Sequence, residues 1–398
     1  MDLFKAFDEL GEEMVPYFRK YTHDRPLIMS LQTYERTRQL GMVLKKTIEY
    51  LVEHYADYVD RMALSSEDLR VLGIASRYPF RIGTYRTDFV LDQSKSIRII
   101  EMTTRQPLNA YAVSGFTNVT GMEMAQRMQL KGVVNDYPRF LDFLQNDFLK
   151  SGKVTVIKGN ERLGDFKIYA RWFERAGIDF QVVSPDELPR KLHTLADARV
   201  IEELNHREIL AMPDLMIDEL CAAGIFNDFR NLFLVHDKRF FALLSDSAFQ
   251  HKALSANERE ILTAFLVPTY TLPEHPEQFE EARKNKTAWI LKSIRFGKSE
   301  GIYAGCVTAP QLWEELFSSG RVKELVLQPM IRQSRFKGTI GAEIREDYVA
   351  GTFLYFDDQY YGPGIYRASS FEVTNVKDDR KLAQVVAERD GRYKDITI

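Results

Sequence analysis

Two short apolar runs carry the residues best suited to chemistry. Tyr85-Arg86-Thr87-Asp88-Phe89 supplies an arginine and an acid, and Ile99-Ile100-Glu101-Met102-Thr103 supplies a second acid. Side chains alternate along a strand, so Arg86 and Asp88 share one face, and Glu101 on a neighbouring strand meets Asp88 there. Two carboxylates so placed suit magnesium, a hard ion that takes oxygen ligands and bridges phosphates. An arginine beside them offsets the charge of a phosphoryl group in transit. The competing reading of the same three residues is a cross-strand ion pair at a sheet edge.

A second constellation lies far downstream, in WILKSIRFGKSEG from Trp289 to Gly301. Lys292 closes the apolar run Ala288-Trp289-Ile290-Leu291, where an unpaired ammonium is costly and a phosphate compensates it. Gly297 and Gly301 bracket a loop, with Lys298 inside it, whose backbone N–H groups can fold over phosphates. Gly297-Lys298-Ser299 mimics the end of a P-loop, but the required earlier glycine is replaced by Lys292, so that reading fails. A hairpin turn is the plain alternative. Further on, Leu325-Val326-Leu327-Gln328-Pro329-Met330-Ile331 offers a strand edge and an apolar wall for a base, with Gln328, Met330 and Ile331 at its end. Upstream, Lys238 stands at the entry of a helix in HDKRFFALL, and LVPTYTL reads as a short Pro-bounded strand.

These residues need a scaffold, and 398 residues predict two or three packed domains. Residues 1–77 have apolar positions at helical spacing and form a helical segment, a lid or scaffold rather than chemistry. Residues 78–150 hold the strand pair, turning at Gln93-Ser94-Lys95, followed by helices through Met122–Gln129 and Phe140–Leu149. In 151–235 the order VTVIKG, GDFKIYARWFERAG, IDFQVV spells strand, helix, strand, which predicts a parallel sheet; NLFLVHDKRFFALL continues the alternation. Gly159 and Gly164 there do not give the dinucleotide fingerprint. Residues 236–398 carry the lysine and glycine grip, and Gly362-Pro363-Gly364 reads as a turn near its end.

Composition excludes several classes. Lys and Arg number 54 against 57 Asp and Glu, a net charge of −3, so nothing favours a nucleic-acid partner, and any anionic ligand must be met by a local cluster. Cys221 and Cys306 are far apart and near no histidine pair, which suggests neither zinc nor a disulfide framework. The start of the chain lacks a signal peptide's basic and apolar regions, and no apolar run approaches a membrane span, so a cytoplasmic protein is expected. The seven histidines make no triad; His236, beside Lys238, is expected to be structural.

The order of HDKRFFALL, LVPTYTL, WILKSIRFGKSEGIYAG and LVLQPMI, with the Arg-x-Asp and Glu runs ahead of them, resembles the ATP-grasp ligases. In particular it resembles the circularly permuted synthetase domain of the glutathionylspermidine synthase family, over about residues 78–370. The resemblance implies an α/β (α+β) ATP-grasp fold with a pre-ATP-grasp parallel-sheet domain at 151–235 and a nucleotide-binding domain at 236–398. It implies ATP and Mg2+ as cofactors, with Asp88, Glu101 and Thr103 as metal ligands and Arg86 as the catalytic cation. Lys238, Lys292, Gly297, Lys298, Gly301, Gln328, Met330 and Ile331 would bind nucleotide, and Arg105, Arg345 and Arg367 would face substrate. The implied reaction joins a small-molecule carboxylate to an amine through an acyl phosphate. Thr103 stands where the family has asparagine, which keeps two alternatives open: a nucleotide-binding pseudoenzyme and a phosphotransferase. The family's amidase domain has no counterpart here.

Overall fold

The computed structural model describes residues 20–160, 166–295, 301–374 and 380–398, with only the backbone of Lys167. Its strands begin with β1 (Leu27–Ser30), β2 (Thr84–Leu91), β3 (Ile97–Thr103), β4 (Lys153–Lys158), β5 (Asp179–Val183) and β6 (Arg199–Glu203). They continue with β7 (Trp289–Ser293), β8 (Ile302–Ala304), β9 (Leu325–Pro329), β10 (Arg335–Ile340), β11 (Glu343–Phe356), β12 (Gln359–Ser369), β13 (Arg380–Leu382) and β14 (Gln384–Ala387). Among the helices are α1 (Leu31–Glu53), α2 (Ser66–Ala75), α3 (Tyr111–Arg127), α4 (Tyr137–Ser151) and α5 (Phe166–Ala176). Further along come α6 (Arg239–Ser245), α7 (Ala256–Phe265), α8 (Pro276–Lys284) and α9 (Pro310–Ser318).

The central sheet is antiparallel in the order β13-β12-β11-β2-β3, and β10 pairs with the first half of the long β11. The expected strand pair β2–β3 therefore enters one sheet with strands more than two hundred residues later in the chain. Its inner face packs Tyr85 on Tyr355 and Phe89 on Phe353, ring centroids 4.7 and 4.5 Å apart. α1 covers that face with Leu40, Val43, Leu44, Ile48 and Leu51, all buried at three and four spacing. The Ser30 side chain accepts from the Thr33 N–H and starts the helix. The second sheet, β5-β4-β6, is parallel, as the strand–helix–strand pattern predicts. Its core of Val154, Val156, Trp172, Phe173 and Ile201 continues into Phe148 of α4.

The third sheet, β8-β7-β9, is small and antiparallel. Trp289 and Leu291 of β7 and Leu325 and Leu327 of β9 point into a core with Phe279 of α8 and Trp313 and Leu316 of α9. Each such large apolar side chain stabilises by about 1.5–3 kcal/mol when fully buried. The intervening residues, Ile290, Lys292, Val326 and Gln328, must then occupy the opposite face, because side chains alternate.

Three local expectations change. Asn231–Val235 is a π-helical turn and Arg239–Ser245 an α-helix, so NLFLVHDKRFFALL is helical throughout its apolar parts and adds no strand. Long-range hydrogen bonds hold it so: the Asn231 amide donates to the Ile82 carbonyl at 2.7 Å, and Thr104 donates to the Asn231 carbonyl at 3.0 Å. LVPTYTL is extended but pairs only at Leu266 with Ile99 and at Tyr270 with Leu327, so it straps the small sheet to the edge of the central one. Gly362-Pro363-Gly364 lies inside β12 at a register shift, with Pro363 opposite Phe353. The chain turns instead before it, after β11, where Asp357 takes a φ of 48°. The helical expectation for residues 3–14 lies outside the described residues.

Candidate active site

A β-bulge sets the geometry. Arg86 pairs with Thr103 and Asp88 with Glu101, but the next pair is Phe89 with Ile99, leaving Ile100 as the extra residue. Ile97, Ile99 and Met102 are buried, whereas Ile100 and Glu101 both turn to the open side. The bulge also frees the Ile100 carbonyl from the ladder. It accepts from Lys292 Nζ at 3.4 Å and from Gln328 Nε2 at 3.2 Å. The cleft faces of the two antiparallel sheets are thus joined at one carbonyl, and the Gln328 amide is completed by Thr269 Oγ1 at 2.8 Å.

Between the sheets lies a narrow cleft of about 110 Å³ that opens to solvent. Ile290, Lys292 and Ile302 wall it from the small sheet, and Asp88, Glu101 and Arg367 from the central sheet. Gln328, Met330 and Ile331 form one end. Arg367 Nη2 donates to Asp88 Oδ2 at 2.7 Å, across a ladder in which Ala350 separates Arg367 from Val90. The small side chain of Ala350 leaves that path open. Lys238 Nζ stands 3.4 Å from Glu101 Oε2, and the Lys238 N–H donates to the Ile294 carbonyl at 2.9 Å, fixing the start of α6 to the exit of β7.

The electrostatics follow from burial and neighbours. Lys292 is only 3 % exposed; burial pushes its ammonium down to about 8 against the pull of Glu101. Burial works to raise the Glu101 carboxyl, but Lys238 and Lys292 together outweigh it and hold it at about 2. Asp88 goes the other way: burial raises it, and Glu101 adds to the rise, more than Arg367 and Arg86 offset. Burial, then the charges of Arg105 and Lys238, push His236 down to about 3, so its imidazole is neutral, and neither ring nitrogen has a hydrogen-bond partner among the described residues.

Asp88 and Glu101 fit a divalent cation. They stand opposite each other on one face, and the Glu101 charge raises the cost of ionising Asp88, which a cation would relieve. No group of three or more His, Cys, Asp or Glu side chains gathers as a metal site among the described residues. Two carboxylates suit magnesium, which usually keeps water and phosphate oxygens for its remaining positions.

The other expected site residues fall as follows. Arg86 lies on the same face as Asp88, and its guanidinium donates to the Asn109 carbonyl at 2.8 Å. Thr103 is its cross-strand partner. Asn109 itself donates to Gln106 Oε1, so its amide is engaged away from the carboxylates. Arg105 follows β3 at the His236 end. Gly301 has φ 68° beside Ser293, where an added Cβ would come within 2.7 Å of the Ser293 Cβ, so this turn requires glycine. Gly297 and Lys298 lie outside the described residues. Arg345 is not brought to the cleft: it sits in the exposed half of β11, opposite Gly338 of β10, and pairs with Glu343. Sequence reasoning passed over Ile100, whose carbonyl joins the sheets, and Ala350, whose smallness admits the Arg367–Asp88 pair. The first left a trace in the broken alternation of Ile97 to Met102; the second left none.

Residues 37–234 match the family model of the AnkG N-terminal domain, a span that contains Arg86, Asp88 and Glu101 but neither Lys292 nor Arg367. No curated protein matches the chain. Among solved structures, a glutathione synthetase-like effector from Globodera pallida in its apo form aligns with a TM-score of 0.59 at 10% identity, covering 92% of this chain and 90% of that one. A putative gamma-glutamylcysteine synthetase from Methylobacillus flagellatus aligns over 86% of this chain and 84% of its own at 11% identity, with a TM-score of 0.37 that carries nothing further. The fold is thus the mixed α/β architecture of the ATP-grasp type, shared with the synthetase-like effector. No helix among the described residues is long and apolar enough to cross a membrane.

Proposed function

We propose that this chain is an ATP-dependent carboxylate–amine ligase whose nucleotide lies in the cleft between the central and small sheets. The observation that carries the reading is the convergence there of Lys292, Asp88, Glu101 and Arg367, from four strands of two sheets. Gln328, Met330 and Ile331 offer the edge and apolar wall for the adenine, and Lys292 and Lys238 offset phosphate charge. Asp88 and Glu101 would hold magnesium, which when bound offsets charge on the phosphate oxygens. The glutathione synthetase-like name of the Globodera protein agrees with ligase chemistry.

In this reading a substrate carboxylate oxygen attacks the γ-phosphorus, the bond to the β–γ bridging oxygen breaks, and ADP leaves. An amine nitrogen then attacks the acyl carbon, phosphate departs with the C–O electron pair, and the nitrogen gives up a proton. Arg367, already 2.7 Å from Asp88, is placed to follow the phosphoryl charge. Arg86 lies on the same face beyond the carboxylates and Arg105 acts on nearby His236, and a substrate carboxylate would dock at this end. Incubation with ATP, magnesium and pooled amino acids and polyamines, followed by mass spectrometry, tests this. ADP, phosphate and an amide formed in equal amounts are expected. AMP and pyrophosphate, or a phosphorylated product without amide, would show a different reaction.

One observation favours nucleotide binding without ligation. Both carboxylates already have cationic partners, Arg367 and Lys238, and Thr103 stands where the resembling ligases carry an amide. On that reading ATP binds and nothing is consumed with any carboxylate and amine.

A further inference from the structure

A second cavity, of about 630 Å³, lies where the first turn of α1, the turn between β2 and β3 and the residues after β14 meet. Five cationic side chains line it: Arg36 of α1, Lys95 of the turn, Arg98 of β3, and Arg389 and Lys394 after β14. Asp390 is the one acidic side chain lining it among the described residues, and Arg392 already holds it, Nη2 to Oδ2 at 2.6 Å. Arg98 is taken up by Asp92 at 2.9 Å. The other four cations have no carboxylate partner among the described residues: Arg36 lies over the Phe265 ring at 5.3 Å, and Lys95 donates to the Asp395 carbonyl at 2.5 Å. In a chain of net charge −3 this is a local concentration rather than a general basic character.

Like charges gathered in one cavity repel each other and cost stability unless an anion enters. Thr33 in the first turn of α1 also lines the wall, which brings the positive end of a 23-residue helix to the same place. Guanidinium forks match phosphate oxygens in geometry as well as charge. The volume lies within the range of about 300–1,000 Å³ usual for small-ligand pockets, so the half-open hollow has room for a compact ligand. We propose that this cavity binds a small molecule carrying two or more phosphate groups, at a site separate from the nucleotide cleft. A shallower groove shared by Gln93, Ser94 and Arg98 runs on to Met330 and Ile331, so an occupant would bear on the turn joining the two carboxylate strands and on the wall of the cleft.

The test is calorimetric titration of the full chain with inorganic tripolyphosphate and with inositol hexakisphosphate, plus sedimentation with phosphatidylcholine vesicles containing phosphatidylinositol 4,5-bisphosphate. The variants are Arg36→Glu with Arg389→Glu, both at exposed positions, and Lys292→Met in the nucleotide cleft. Wild type and Lys292→Met are expected to bind the soluble polyphosphates alike, and the double charge reversal at least about tenfold more weakly, with unfolding midpoints showing all three folded. A neutral pair, Arg36→Gln with Arg389→Gln, should lie between. Loss of binding in Lys292→Met but not in the charge-reversed variant would place the anion in the nucleotide cleft and overturn the proposal, as would no binding at millimolar concentration. Vesicle binding that soluble inositol hexakisphosphate fails to compete would overturn it in favour of a membrane surface. Failure of the ligase reading leaves this binding test intact.

Discussion

Asp68 supports the nucleotide cleft from a distance, and its replacement by asparagine gives a quantitative expectation. The side chain is fully buried, at 0 % exposure, in the first turn of α2. Its Oδ2 accepts from the Ser65 N–H at 3.0 Å and from Arg295 Nη2 at 2.6 Å, and its Oδ1 lies 2.9 Å from His206 Nε2. Arg295 also reaches Asp237 at 3.1 Å, which holds Arg239 at 2.6 Å, so one buried network ties α2 to the exit of β7 and the start of α6. Burial alone would raise the Asp68 carboxyl, but the bonds from His206, Arg295 and Ser65 hold it well below the usual carboxylate range. Breaking one side of a buried ion pair costs about 3–5 kcal/mol. Arg295 is 25% exposed and keeps Asp237, so a cost at or just below the bottom of that range, about 2–3 kcal/mol, is expected for Asp68→Asn. Urea unfolding at pH 7 measures it. A depressed folded-state pKa gives stability that is fully present above the unfolded value of about 4 and is lost as pH falls from there through the much lower folded-state value, so the gap between wild type and variant should begin to narrow below pH 4 and remain partly open at pH 3. Because Arg295 is close along the chain to Lys292, the variant should also bind ATP more weakly. A difference under about 0.5 kcal/mol at pH 7, or one that grows as pH falls below 4, would refute the reasoning.

Glu202 is 4 % exposed on β6, its Oε2 has no hydrogen-bond partner among the described residues, and burial drives its carboxyl well above the ordinary value. A raised acid favours folding only while protonated, so the penalty grows as pH rises above about 4; Glu202→Gln should raise the thermal midpoint at pH 8 and leave it unchanged near pH 4. A lower midpoint at pH 8 would mean that the ionised carboxylate has a partner. Ala350→Leu puts a branched side chain on the path from Arg367 to Asp88; ATP binding should fall at least about tenfold while circular dichroism is unchanged, and equal affinity would dismiss the pair as part of the site.

Much of this arrangement was legible because strand physics is local. Alternation along β2 predicts that Arg86 and Asp88 share a face, and the opposed pair Asp88–Glu101 needs only a turn of the right length between β2 and β3. Lys292 was conspicuous because it ends an apolar run, and the burial of Trp289 and Leu291 on the other face is what aims it at the cleft. What escaped is non-local or phase-dependent. The bulge at Ile100 shifts the strand by one residue, and a single sequence shows only a broken alternation there. The Arg367–Asp88 and Arg295–Asp68 pairs join residues hundreds of positions apart, which no period can encode. NLFLV is a short apolar run without a period of its own, so strand and helix could not be separated by pattern; the side chain of Asn231 decides it. Arg345 looked equivalent to Arg367 in composition, yet lies in the half of β11 that pairs with β10.

The central claim is that the cleft between the two antiparallel sheets holds ATP with magnesium. The most direct measurement is equilibrium titration of ATP, with and without magnesium, into wild type, Lys292→Met and Glu101→Gln. Wild type should bind more tightly with magnesium. Lys292→Met should lose at least about tenfold in both conditions, and Glu101→Gln should lose mainly the gain that magnesium brings. Unchanged affinity in Lys292→Met, in a protein whose folding is intact, would contradict the account.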